Sequence, residues 1–144
     1  MTVRERFNEI VRFVASVLTP LGFRRQRQCF HRNLPQLWHI VRLMRSPWND
    51  ASECKFWIEF GVYVPKVFAL IHPDLKEPAC PNGMNLTVSW RAGFQHPPFL
   101  QKSWRILATD TLPDADLAIQ ESLSVELREY VLPFLERFRV RRDV

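Results

Sequence analysis

The chain has 144 residues, 47% of them hydrophobic and 24% charged, ordinary usage for one globular domain with a single core and far from that of a disordered chain. A net charge of +5, with 16 arginines among the 20 basic residues, admits nucleic acid or an acidic protein as partner without requiring either. The three cysteines, Cys29, Cys54 and Cys80, are odd in number and form no CxxC pair, which argues against a disulfide framework or a zinc ribbon and for reduced thiols.

The N-terminus MTVRERFNEIVRF alternates charged and apolar residues and lacks the apolar stretch of a signal peptide. Val3, Phe7, Ile10, Val11, Val14 and Leu18 recur at helical spacing, Thr2 with Glu5 reads as a capping box, and Pro20 with Gly22 supplies the stop. Arg4, Glu5, Asn8, Glu9 and Arg12 on its other side have mixed sign, as on a solvated face.

Four or five strands are expected next. Arg24 to Arg32 and Leu37 to Arg45 read as a hairpin around NLPQ. From Lys55 to Val64 the pattern alternates: Phe56, Ile58, Phe60, Val62 and Val64 point one way, and Lys55, Trp57, Glu59 and Tyr63 the other. The most apolar run, VYVPKVFALIH, is broken by Pro65 and Lys66 and is too short to span a bilayer. An irregular Pro-rich connection with one short helical turn leads to a strand over Asn85 to Phe94, and KSWRILAT forms the last. TLPDAD opens a C-terminal helix whose stripe runs Ile119, Leu123, Leu127, Tyr130, Phe134, Phe138. Pro133 lacks an N–H and its ring crowds the Glu129 carbonyl, so an interruption is expected near Leu132. The chain therefore reads as one α+β domain over residues 1–144: a single antiparallel sheet with an N-terminal helix over 3–18, strands within 24–109, and a long Pro-kinked helical region over 113–139 packed on the same face.

Three constellations could carry function. Arg24, Arg25, Arg27 and Arg32 crowd one segment. In a single edge strand, Arg25 and Arg27 would share a face with Cys29 and His31, and Arg24 and Arg32 would take the other. A hairpin centred on Pro35 would set His31 opposite His39, with Cys29 on the same face; these three are candidate zinc ligands, but no fourth ligand is evident and no metal site is assigned. Trp57, Tyr63, Thr87, Ser89 and Arg91 would project from the second sheet face, an arrangement suited to a protein interface or to base stacking. No activated nucleophile, paired carboxylates or cofactor loop occurs, so no catalytic residue and no cofactor is assigned.

PLGFRRQRQCFHR, LWHIVRLMRS, CKFWIEFGVYV and LPFLERF follow one another between a leading and a late helix. This order, with the tryptophan of SWRIL, resembles the bacterial family known as domain of unknown function 4304, over Phe7 to Phe138. The resemblance implies a compact α+β domain from a bacterial cytoplasm and raises an interaction module with an immunity or regulatory role. It brings no reaction and no functional residues.

The expectation is a non-enzymatic protein-binding module, cytoplasmic and without membrane contact, using Arg24, Arg25, Arg27, Trp57, Tyr63 and Arg91. The alternative is a nucleic-acid-binding domain using the Arg-rich strand, the tail arginines Arg137, Arg139, Arg141 and Arg142, and the sheet aromatics.

Overall fold

The computed structural model describes residues 1–78, 81, 86–91 and 103–140, the side chains of Trp90 and Arg91 excepted. The first helix, α1 (Val3–Leu18), opens on the expected capping box: the Glu5 amide donates to Thr2 Oγ1 at 3.1 Å, and the Thr2 amide to Glu5 Oε2 at 2.8 Å. Reciprocal capping of this kind is worth about 1 kcal/mol. A 3-10 turn over Thr19–Leu21 ends at Gly22, whose φ of +92° is the left-handed cap that glycine adopts freely.

The sheet follows as β1 (Arg24–Gln26), β2 (Cys29–Asn33), β3 (Trp38–Arg45) and β4 (Glu53–Tyr63), each antiparallel to the next. β5 (Val88–Arg91) and β6 (Trp104–Leu107) both pair with the far side of β4, β5 beside Glu59–Val62 and β6 beside Glu53–Phe56. Between β4 and β5 lies α2 (Pro65–Ile71), the expected short helix. The reading of Asn85 to Phe94 as a strand is met by β5 over its central residues; Asn85 and residues 92–94 lie outside the described residues, as do Cys80, Arg141 and Arg142.

Alternation decides which face is covered. Phe30, Val41, Leu43, Phe56, Ile58 and Phe60 share one face and are fully buried against α1 and the C-terminal helices. α3 (Asp114–Val125) is tied to β6 by Trp104 Nε1, which donates to Ser122 Oγ at 2.9 Å while the indole stacks on Phe56. The interruption expected at Pro133 takes the form of a π-helical turn over Glu126–Val131, closed by the Leu132 amide on the Leu127 carbonyl, before α4 (Leu132–Leu135). Widening the helix by one residue accommodates a proline that cannot donate, so no break is needed. The extra residue shifts the apolar stripe: Val131 and Leu135 are fully buried, while Tyr130 packs only at the margin.

Candidate functional site

The Arg-rich segment is itself a hairpin, which corrects its reading as one strand. β1 folds back on β2 through Arg27 and Gln28, with Arg24 opposite His31, Arg25 opposite Phe30 and Gln26 opposite Cys29. Arg27 takes the first loop position with φ +56°, a left-handed conformation that costs a residue with a Cβ roughly 1 kcal/mol. Three hydrogen bonds hold the turn there. Arg25 Nε donates to the Arg27 carbonyl at 2.7 Å, Gln28 Nε2 donates to the Leu43 carbonyl at 2.7 Å, and the Leu43 amide donates to the Gln28 carbonyl at 3.0 Å.

This register regroups the charges. Arg24 shares a face with His31, whereas Arg25 shares the helix-covered face with Phe30 and Arg32, so Arg25 does not join Cys29 and His31. Arg25 and Arg27 meet Arg4 and Arg12 of α1 and Arg45 at the end of β3. Together with Phe7, Asn8, Val11 and Gln28 they line a groove of about 570 Å³ that has no acidic side chain in its walls among the described residues. Arg12 pairs with Glu9 along the helix. Arg4, Arg25, Arg27 and Arg45 have no carboxylate partner among the described residues.

Two of these guanidiniums are held by neutral contacts instead, Arg25 by its bond to the turn and Arg45 by lying 5.3 Å over the Phe7 ring. Positioned guanidinium forks without a counter-ion are what carboxylate and phosphate oxygens bind. Sequence reasoning missed Arg4, Asn8, Arg12 and Arg45. Their signal was the four-residue spacing of Arg4, Asn8 and Arg12, which places them on one stripe of α1.

The other candidates disperse. Tyr63 is fully buried, its ring edge-on to Phe68 of α2 at 5.7 Å, and so is not part of a surface; Trp57 is half-buried. Arg91 stands opposite Glu59 in the β4–β5 register, and Glu59 already accepts from Arg42 Nε at 2.8 Å. His31 pairs with Ile40 and His39 with Arg32, so the two histidines lie on opposite faces and the expected cross-strand pair does not form; Cys29 stands opposite Arg42. His31 is 5.6 Å from the Trp38 ring, and burial, then the Arg24 charge, lowers its pKa. Arg32 turns inward, 4.6 Å over Phe23, bonded to Leu21, His39 and Glu136.

A family model described as a domain of unknown function, DUF4304, matches residues 14–137. The chain belongs to the DUF4304 family. No curated protein and no solved structure matches it. In this DUF4304 chain the matched span holds Arg25, Arg27 and Arg45 of the groove, while the α1 stripe of Arg4, Asn8 and Arg12 precedes it. Among the described residues no helix is long and apolar enough to cross a membrane.

Proposed function

We propose that this chain is a non-enzymatic protein-binding module that docks the acidic surface of a partner on the arginine groove. The carrying observation is the set of four arginines, from α1, β1, the β1–β2 turn and β3, that line one groove without a carboxylate partner among the described residues. Arginine and tryptophan dominate binding energy at protein interfaces. Trp48, in the loop between β3 and β4, is 89% exposed. Its neighbours Pro47 and Asn49 line a second depression, shared with Gln28 and Arg45 of the arginine groove.

The chemistry of the thiol and imidazole groups supports a non-catalytic role. Burial pushes the Cys54 thiol up, the wrong direction for a nucleophile. Both ring nitrogens of His39 are engaged by Arg32 and the Phe138 carbonyl. Cys54 is not in a disulfide, which suits a reducing bacterial cytoplasm.

Nucleic acid is the second reading, favoured by the exposed Trp48 indole, whose neighbours Pro47 and Asn49 line a depression with Arg45. Fluorescence anisotropy with a labelled Asp/Glu-rich peptide, and with labelled single- and double-stranded DNA, across a salt series separates the two. The peptide is expected to bind, and the double substitution Arg25→Gln, Arg45→Gln to weaken it about tenfold or more. DNA binding that falls steeply with salt, with the peptide inert, would replace the protein-binding reading by the nucleic-acid one.

A further inference from the structure

We propose that the arginine groove is a phosphate subsite, so that the protein it docks presents a phosphorylated side chain there; this rests on the groove being the docking surface. A carboxylate brings one negative charge and two oxygens, and one bidentate guanidinium satisfies it. Here Arg4, Arg25, Arg27 and Arg45 face a common space with no counter-ion in its walls among the described residues, more positive charge than one carboxylate neutralises. A phosphomonoester brings a charge near −2 and three strong acceptor oxygens, enough for two or three guanidinium forks at once.

The arrangement gathers charge at one groove rather than along a track. The four arginines come from four different segments and line one groove, and the buried Phe7 and Val11 add apolar lining for the carbon skeleton that carries the phosphate. Asn8 adds a side-chain amide on the same α1 stripe. Elsewhere five arginines are paired with acids: Arg6 on Asp110 and Asp116, Arg32 on Glu136, Arg42 on Glu59, Arg105 on Glu53 and Arg139 on Glu136. Those pairs interrupt the basic track that a nucleic-acid backbone would need, and Tyr63, one of the two expected stacking aromatics, is buried. The observations therefore favour a phosphorylated protein segment over nucleic acid.

The test uses the full chain and three labelled peptides of one sequence, carrying phosphoserine, Glu or Ser at one position, with a single-stranded oligonucleotide as a fourth probe and inorganic phosphate as competitor. The phosphoserine peptide is expected to bind about tenfold tighter than the Glu peptide, to be displaced by inorganic phosphate at matched ionic strength, and to lose that advantage in Arg45→Gln. Arg27→Gly guards against misfolding, because it removes a guanidinium while relieving the positive φ. It is expected to weaken the phosphopeptide without lowering the melting temperature. Equal binding of the phosphoserine and Glu peptides would overturn the phosphate subsite and leave acidic docking intact. Binding of no peptide, with no effect of inorganic phosphate on the melting temperature, would overturn both. An oligonucleotide preferred over every peptide would also overturn both, in favour of nucleic acid.

Discussion

Arg32 Nη2 lies 2.8 Å from Nδ1 of His39, and Nε2 of the same ring lies 2.5 Å from the Phe138 carbonyl oxygen. A guanidinium only donates, so Nδ1 must accept and Nε2–H must donate; the geometry calls for a neutral ring. Arg32 also pairs with Glu136, which holds Arg139, so this one cluster fastens the end of the C-terminal helical region onto β2 and β3.

Acid should loosen that fastening. Burial pushes the His39 pKa below its ordinary 6.5; the bond to Phe138 opposes the shift and the Arg32 charge adds to it. The folded chain then binds fewer protons than the unfolded chain, so this stability is present above pH 6.5 and is lost as the pH falls below it. His31, also shifted down, acts in the same direction. Urea unfolding from about pH 8 to about pH 5 should show stability falling on the acid side, and His39→Gln should flatten part of the fall. Identical pH profiles for the two proteins would count against the neutral-ring assignment.

Arg6 ties α1 to the connection between β6 and α3. Its side chain is 2% exposed, and it donates to Asp116 Oδ1 at 2.7 Å, to Asp110 Oδ2 at 3.0 Å and to the Leu107 carbonyl at 2.7 Å. The Leu107 amide on Asp110 Oδ2, together with the Arg6 guanidinium, keeps the Asp110 carboxyl below the usual carboxylate range. Arg6→Ala strands two carboxylates and a carbonyl and should destabilise the chain by about 3 kcal/mol, the partial exposure of both acids keeping it near the low end for a broken buried pair. Arg6→Lys should recover only part of this in denaturant titrations, because an ammonium cannot reproduce the fork.

Gly61 is where β5 closes on β4. A Cβ there would stand 2.1 Å from the Val88 carbonyl oxygen and 3.0 Å from the Ser89 Cα, both backbone atoms that cannot swing aside. Gly61→Ala should cost about 2 kcal/mol or more and should selectively raise amide exchange along Val88–Arg91. Unchanged protection of β5 would show that the strand can be displaced without loss of pairing.

Arg27 occupies a backbone conformation that glycine adopts more readily. Arg27→Gly should leave stability unchanged or raise it by up to about 1 kcal/mol, whereas Arg27→Val, β-branched at the same φ, should lower it. Thermal unfolding of the two variants beside the parent chain decides this. A loss in Arg27→Gly would mean that the Arg27 side chain, and not only the Arg25 and Gln28 braces, holds the turn.

Local patterns carried most of the architecture. The three-and-four spacing from Val3 to Leu18, the capping pair Thr2 and Glu5, and the alternation from Lys55 to Val64 each follow from covalent geometry and burial within a few residues, so α1, β4 and the covered sheet face were legible in the sequence. The α+β class with its single antiparallel sheet followed from the order of those elements. What a strand lies beside depends on register, and one residue of slip reverses every facing. The turn at Arg27 and Gln28 is such a case. With no glycine, proline or asparagine to mark it, it was invisible, and it moved Arg25 to the helix side. At the next turn a shift of one residue, which pairs Asn33 with Trp38, parted His31 from His39.

The sequence by itself therefore determined α1, β4, the covered sheet face and the excess of arginine, because these depend on spacing along the chain. Only the tertiary structure decided which arginines are spent and which remain. Arg6, Arg32 and Arg42 meet acids up to 110 positions away, while Arg4, Arg25, Arg27 and Arg45 converge on a groove that has none among the described residues. Pairing of charges depends on distance in space, and distance in space is set by register and packing.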